Sequence, residues 1–173
     1  MPTAIKRSGT QLTTAELVDF LSAIARDPQM ISERLRHWAR MRLLDPVGGR
    51  HPGTGFHRRY AEGAIVRAAV LNVLADMGYK ITSLEQSLRT ALDQTENARR
   101  RWKPGHWAFL TVALRRSSAV LNAPWEVASA TYQTGAGPNP PTLNQMVHRG
   151  FLGVCVIDLG QIFQFIEDKG GKS

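Results

Sequence analysis

The chain is short of cysteine, of acid and of long apolar runs. One cysteine stands among 173 residues, so no internal disulfide can form; that fits a reducing compartment and not a secreted, disulfide-stapled scaffold. Cys155 sits between Val154 and Val156-Ile157 and reads as a small packing hydrophobe. No apolar run approaches the roughly 20 residues a membrane-spanning helix needs, and the N-terminus lacks the apolar core of a signal peptide. A cytoplasmic protein with no membrane partner is expected. No repeat occurs, and neither does a spaced His/Cys set, a phosphate loop, a nucleophile elbow or a carboxylate pair. The expectation is therefore no enzyme, no metal and no cofactor. What the chain does have is positive charge: 22 Lys and Arg against 14 Asp and Glu, a net +8. Such an excess suits a polyanion, nucleic acid first and an anionic membrane surface second. A hydrophobic fraction of 43% and a charged fraction of 21% are those of a folded chain.

Residues 1–11 are polar and read as a tail. Thr13-Thr14-Ala15-Glu16 is a capping box, and Leu17, Phe20, Leu21 and Ile24 then recur at helical spacing. Asp27-Pro28 interrupts this pattern. A second helix is expected from about Ile31 to Leu44, closed by Asp45-Pro46. On it Ile31, Leu35, Trp38 and Ala39 share one arc, while Glu33, Arg34, Arg36, His37 and Arg40 take the rest. One side thus packs and the other is cationic, and Trp38 belongs to the packing side. Residues 47–60 hold four glycines and a proline, which excludes helix. They read as a basic β-hairpin. From Arg34 to Tyr60 there are seven arginines and three histidines against one acid, Asp45.

A third helix starts near Ala61, carries Val66, Val70, Val73, Leu74 and Met77, and ends at a Gly78 C-cap. Thr82-Ser83-Leu84-Glu85-Gln86 offers another capping box. Leu84, Leu88 and Leu92 continue on one face of a helix running to about Arg101. So narrow a seam fits a partner helix, or packing on its own domain. Arg99-Arg100-Arg101-Lys103 reads as a solvated helix end. Beyond it, His106–Leu114, Ser118–Asn122 and Phe151–Leu159 read as strands. Residues 133–142 read as a loop, Leu143–His148 as a short helix and Gln161–Asp168 as a closing helix. Trp107, Trp125, Phe151, Phe163 and Phe165 form either a small core or a ligand pocket.

Two segments in series carry a family resemblance. Leu35-Arg36-His37-Trp38-Ala39-Arg40, ahead of Leu43-Leu44-Asp45-Pro46, resembles the recognition helix of MerR-type transcriptional regulators. Gly55-Phe56-His57-Arg58-Arg59-Tyr60-Ala61-Glu62 resembles that family's wing, and Leu74-Ala75-Asp76-Met77-Gly78-Tyr79 its Leu-Gly-Tyr turn. The resemblance covers residues 13–90. It departs from the family at two points: the stretch from Glu16 to Leu35 is longer, predicting an extended first helix or an extra turn, and Arg42 stands where glycine is frequent.

The resemblance implies a winged helix-turn-helix protein acting as a homodimer on a palindromic promoter. Its partners would be double-stranded DNA and RNA polymerase. Arg34, Arg36, His37 and Arg40 would reach base edges and flanking phosphates. Arg58, Arg59 and Tyr60 of the wing would hold phosphates, with Arg50, His51 and His57 beside them. For Arg36 and Arg42 the alternative is an internal ion pair or a stem laid over the core; for Tyr60 it is pinning the wing to the third helix. Leu84, Leu88 and Leu92 would form the dimerisation seam. The expected fold is mainly α with small β (α+β). Its parts are a tail (1–11), a winged helix-turn-helix (12–82), a linking helix (83–103) and a small C-terminal α+β domain (104–173). Two other functions fit the same residues: a DNA-bending excisionase or nucleoid-architecture protein, and a protein-interaction adaptor that has lost DNA binding.

Overall fold

A computed structural model of the chain describes residues 10–23, 27–47, 58–79, 81, 86–99, 101–116, 125–136 and 153–170. Among them are five helices and two small antiparallel sheets. The expected strand over Ser118–Asn122, the helix over Leu143–His148 and the capping box at Thr82 to Glu85 lie outside the described residues.

Local signals start the first two helices. Helix α1 (Thr14–Ser22) opens on the capping box: Glu16 N–H donates to Thr13 Oγ1 at 3.3 Å, and Thr13 N–H donates to Glu16 Oε2 at 2.8 Å. Leu17, Phe20 and Leu21 of α1 are buried. Helix α2 (Pro28–Arg40) begins three residues earlier than expected. Asp27-Pro28 does not merely interrupt; it builds the start. The Asp27 carboxylate accepts from Gln29 and Met30 N–H, and Pro28 takes the first helical position, where no N–H is needed. This early start absorbs part of the long connection after Glu16.

Helix α2 also ends earlier than expected, at Arg40 and not Leu44. Leu43 N–H donates to Trp38 C=O at 2.9 Å and Arg42 N–H to Ala39 C=O at 3.3 Å. That pair of bonds is a Schellman ending, with Arg42 in its left-handed position at φ +60°. Helix α3 (Glu62–Asp76) ends in the same way: Tyr79 N–H donates to Leu74 C=O, Gly78 N–H donates to Ala75 C=O, and Gly78 has φ +82°.

Strand β1 (Gln11–Thr13), which begins at the last residue of the expected tail, pairs with β2 (Arg59–Ala61), setting Leu12 opposite Tyr60 and Thr13 opposite Arg59. Val47 forms an isolated antiparallel bridge to Arg59. Helix α3 is buried on almost every side, from Ile65 and Val66 through Ala68 to Asn72 and Leu74. Such a helix belongs in the middle of a fold.

The second sheet runs β4-β3-β5 and is antiparallel, with β3 (Trp107–Arg116) in the centre, β4 (Trp125–Gly135) on one edge and β5 (Gly153–Asp158) on the other. Strand β4 is not foreseen by the sequence pattern, and its last residues fall in the stretch read as loop. Helix α4 (Gln86–Arg99) packs on α3 and β4, and α5 (Leu159–Gly170) on β3 and α3. A single apolar cluster runs from Leu12 to Ile166. Phe20 of α1 and Phe165 of α5 stack at 4.0 Å.

This packing corrects the reading of α4 as a dimer seam. Leu88 and Leu92 are 0% and 1% exposed within one chain, and both belong to its core. Each side chain so buried contributes about 1.5–3 kcal/mol to folding and is not free for a partner. Leu84 lies outside the described residues. The reading of the basic helix end is corrected at Arg99, and Arg100 lies outside the described residues. Arg99 is 7% exposed: it pairs with Glu167 at 2.8 Å, sits 3.9 Å from Glu62, and lies about 6 Å from the Trp102 and Phe163 rings. Arg101 and Lys103 are exposed.

Candidate nucleic-acid interface

Ile31, Leu35, Trp38 and Ala39 turn one side of α2 into the core, and this turns Arg36, His37 and Arg40 outward. Residues 36, 37 and 40 fall within an arc of about 100°. Together with Glu33 and Arg34 they line a shallow depression on the surface. Arg34 is at its inner edge and is not free. Its guanidinium donates to Asn72 Oδ1 at 2.7 Å and to the Asp76 carboxylate, clamping α2 to α3. Asn72 is itself buried and donates back to Asp76. Arg34 thus belongs to the support of the surface.

The exit of α2 is tied to β2. Val47 N–H donates to Arg59 C=O at 2.7 Å, and Thr14 N–H to Arg58 C=O at 3.2 Å. The chain that leaves Arg40 therefore returns beside Arg59. Alternation along β2 leaves Arg59 and Ala61 exposed and buries Tyr60. Tyr60 is 1% exposed, so its expected phosphate contact is corrected: the ring packs in the core. Its hydroxyl meets the Thr14 and Arg58 side chains, and burial pushes the phenol above its ordinary range. Arg58 is half-buried and engaged there. Arg50, His51 and His57 lie outside the described residues.

The sequence pattern leaves Arg42 out of the site. It is exposed, at the left-handed turn between Arg40 and Leu43. The one signal for it is an arginine standing where the resembled family often has glycine. Arg36, His37, Arg40, Arg42 and Arg59 are all exposed and have no ion-pair partner among the described residues, whereas Arg34, Arg67 and Arg99 are each held by carboxylates. Unpaired guanidinium groups on an exposed helix face can grip phosphates or read guanine O6 and N7 with two donors. Among the described residues no group of three or more His, Cys, Asp or Glu could hold a metal ion, and no helix is long and apolar enough to cross a membrane. Compared with known proteins, the chain matches no protein-family model and no curated protein.

Proposed function

We propose that the chain binds double-stranded DNA as a MerR-type winged helix-turn-helix transcription regulator. Helix α2 enters the major groove, and β2 with its exposed Arg59 stands at the end of the expected wing, whose residues 48–57 lie outside the described ones. One observation carries the reading: exposed arginines on α2, at its C-terminal turn and on β2, without ion-pair partners among the described residues, belong to segments joined by a backbone hydrogen bond. A helix of about 12 Å diameter fits the groove of B-DNA. Arg36 and Arg40 then reach base edges, Arg42 and Arg59 hold flanking phosphates, and Glu33 can accept from a cytosine amino group. A homodimer on a palindromic promoter, beside RNA polymerase, follows from the family resemblance. Because Leu88 and Leu92 already fill the chain's own core, such a dimer uses a surface other than the apolar side of α4.

Selection of bound sequences from random duplex DNA, followed by affinity measurements against salt on the best site, tests this. Two phosphate contacts per chain, Arg42 and Arg59, predict a slope of log Kobs on log salt of about −2 for one chain and about −4 for the homodimer, since each neutralised phosphate contributes about −0.9. The double variant Arg36→Ala/Arg40→Ala weakens specific binding by about 2–6 kcal/mol, at about 1–3 kcal/mol per lost base contact. A chain with no salt-sensitive binding, or a double variant that binds as the parent does, overturns the proposal. A footprint confined to a palindrome favours the regulator; uniform coating of any duplex favours an architectural role.

A further inference from the structure

A cleft of about 740 Å³ opens between the C-terminal end of α4 and strand β4, apart from the cationic face. Its volume falls within the range of small-molecule sites, about 300–1,000 Å³. Gln94, Asn97 and Arg101 border it from α4 and its end, Trp102 and His106 from the following turn, and Tyr132 from β4.

The aromatic wall is held rigidly. Lys103-Pro104-Gly105-His106 is a tight turn, with His106 N–H donating to Lys103 C=O at 3.0 Å and Gly105 at φ +84°. Proline second and glycine third are what a type II turn requires. This turn carries the His106 C=O back to accept the Trp102 indole N–H at 2.8 Å. Phe163 braces the same indole edge-on at 5.8 Å. The ring therefore needs no reorganisation to receive a flat molecule.

The polar groups of the cleft lean to one sign. Arg101 is exposed and half-buried His106 is beside it, and no carboxylate is among the described residues that line the cleft. Gln94 and Asn97 add amide donors. The Tyr132 hydroxyl is buried beside the Thr134 hydroxyl and has no hydrogen-bond partner of good geometry among the described residues; Thr134 Oγ1 itself donates to Trp107 C=O at 2.9 Å. A buried hydroxyl in that state is stabilised by any acceptor that reaches it. Two aromatic rings, a free guanidinium and several donors without a matching acid suit a flat apolar body bearing a negative group.

We propose that this cleft is a binding site for a small planar aromatic carboxylate. The rings of Trp102 and Tyr132 contact the ligand's ring, and Arg101 takes its carboxylate. The inference does not depend on the DNA-binding reading, and its test needs no DNA.

The test titrates the full chain with salicylate and indole-3-carboxylate, following tryptophan fluorescence and calorimetry, with benzylamine as the charge-reversed probe. The carboxylates give saturable binding and the amine does not. Arg101→Ala weakens carboxylate binding about tenfold and Tyr132→Phe about threefold, while both keep the parent's melting temperature within about 3 °C. The charge-conserving Arg101→Lys retains part of the affinity. Absence of saturable carboxylate binding below about 10 mM overturns the proposal. So does equal binding of benzylamine, or an Arg101→Ala variant that binds salicylate as the parent does.

Discussion

Replacing Arg42 by glycine is expected to make this protein more stable and a weaker DNA binder. The chain contains its own control. Helices α2 and α3 end in the same pair of Schellman hydrogen bonds, yet the left-handed position holds Arg42 in one and Gly78 in the other, at φ +60° and +82°. A side chain with a Cβ carries about 1–2 kcal/mol of steric penalty there. Glycine removes it but gives back about 0.5–1 kcal/mol through the greater freedom of the unfolded chain. The net gain is about 0.5–1 kcal/mol, or about 1–4 °C in Tm for a chain of this size. Arg42 is exposed and makes no ion pair among the described residues, so little else is lost with its side chain. Arg42→Ala separates charge from backbone: it removes the same cation but keeps the strained φ, and its Tm should not rise. Gly78→Ala is the mirror experiment. An added Cβ there meets nothing within 4 Å, so its loss of about 1 kcal/mol is purely conformational. Calorimetric melting of the three variants, with DNA affinity measured in parallel, decides the matter. If Arg42→Gly melts no higher than Arg42→Ala, the account of strain is wrong. If both melt as expected but bind DNA as tightly as the parent, Arg42 is not at the interface.

The remaining predictions concern groups whose surroundings differ from their neighbours'. Arg34→Ala breaks the clamp to Asn72 and Asp76 and takes the donor from the buried Asn72 Oδ1, so it should destabilise by about 1–3 kcal/mol. Arg36→Ala, on the exposed face of the same helix, should stay within about 0.5 kcal/mol in the same urea titration; equal losses in the two would refute the assignment of roles. The Tyr60 phenol is pushed above its ordinary value of 10.0 by burial, so the unfolded chain releases that proton first. Its contribution is fully present below pH 10 and is lost as pH rises beyond that. Tyr60→Phe should therefore flatten the fall in stability on the alkaline side, and a parallel fall in both proteins would argue against it. Burial likewise raises the Cys155 thiol. Ellman's reagent at about pH 8 should react with it slowly in the native chain and rapidly in denaturant; a fast native reaction would mean that β5 does not shield it.

Features governed by near neighbours along the chain are legible in the amino-acid order alone. The capping box at Thr13 and Glu16, the apolar arc of Ile31, Leu35 and Trp38, and the glycine at the end of α3 depend on backbone groups or side chains within a turn or two of helix. The outward direction of Arg36, His37 and Arg40 follows from that arc, because a helix that buries one side must expose the other.

What decided the rest was contact between segments far apart in the chain. Nothing near Leu88 and Leu92 says whether their apolar row meets a second chain or this chain's own sheet; α3 and β4 decide it. Arg34 and Arg36 look alike in sequence and differ because Asn72 and Asp76, 38 and 42 residues away, lie under one of them. Tyr60 lies buried because β2 pairs with β1 and turns alternate residues inward. Arg99 is buried for the same kind of reason: Glu167 of α5 waits beside it. Local periodicity sets which way a side chain points, and only tertiary packing sets what it meets there.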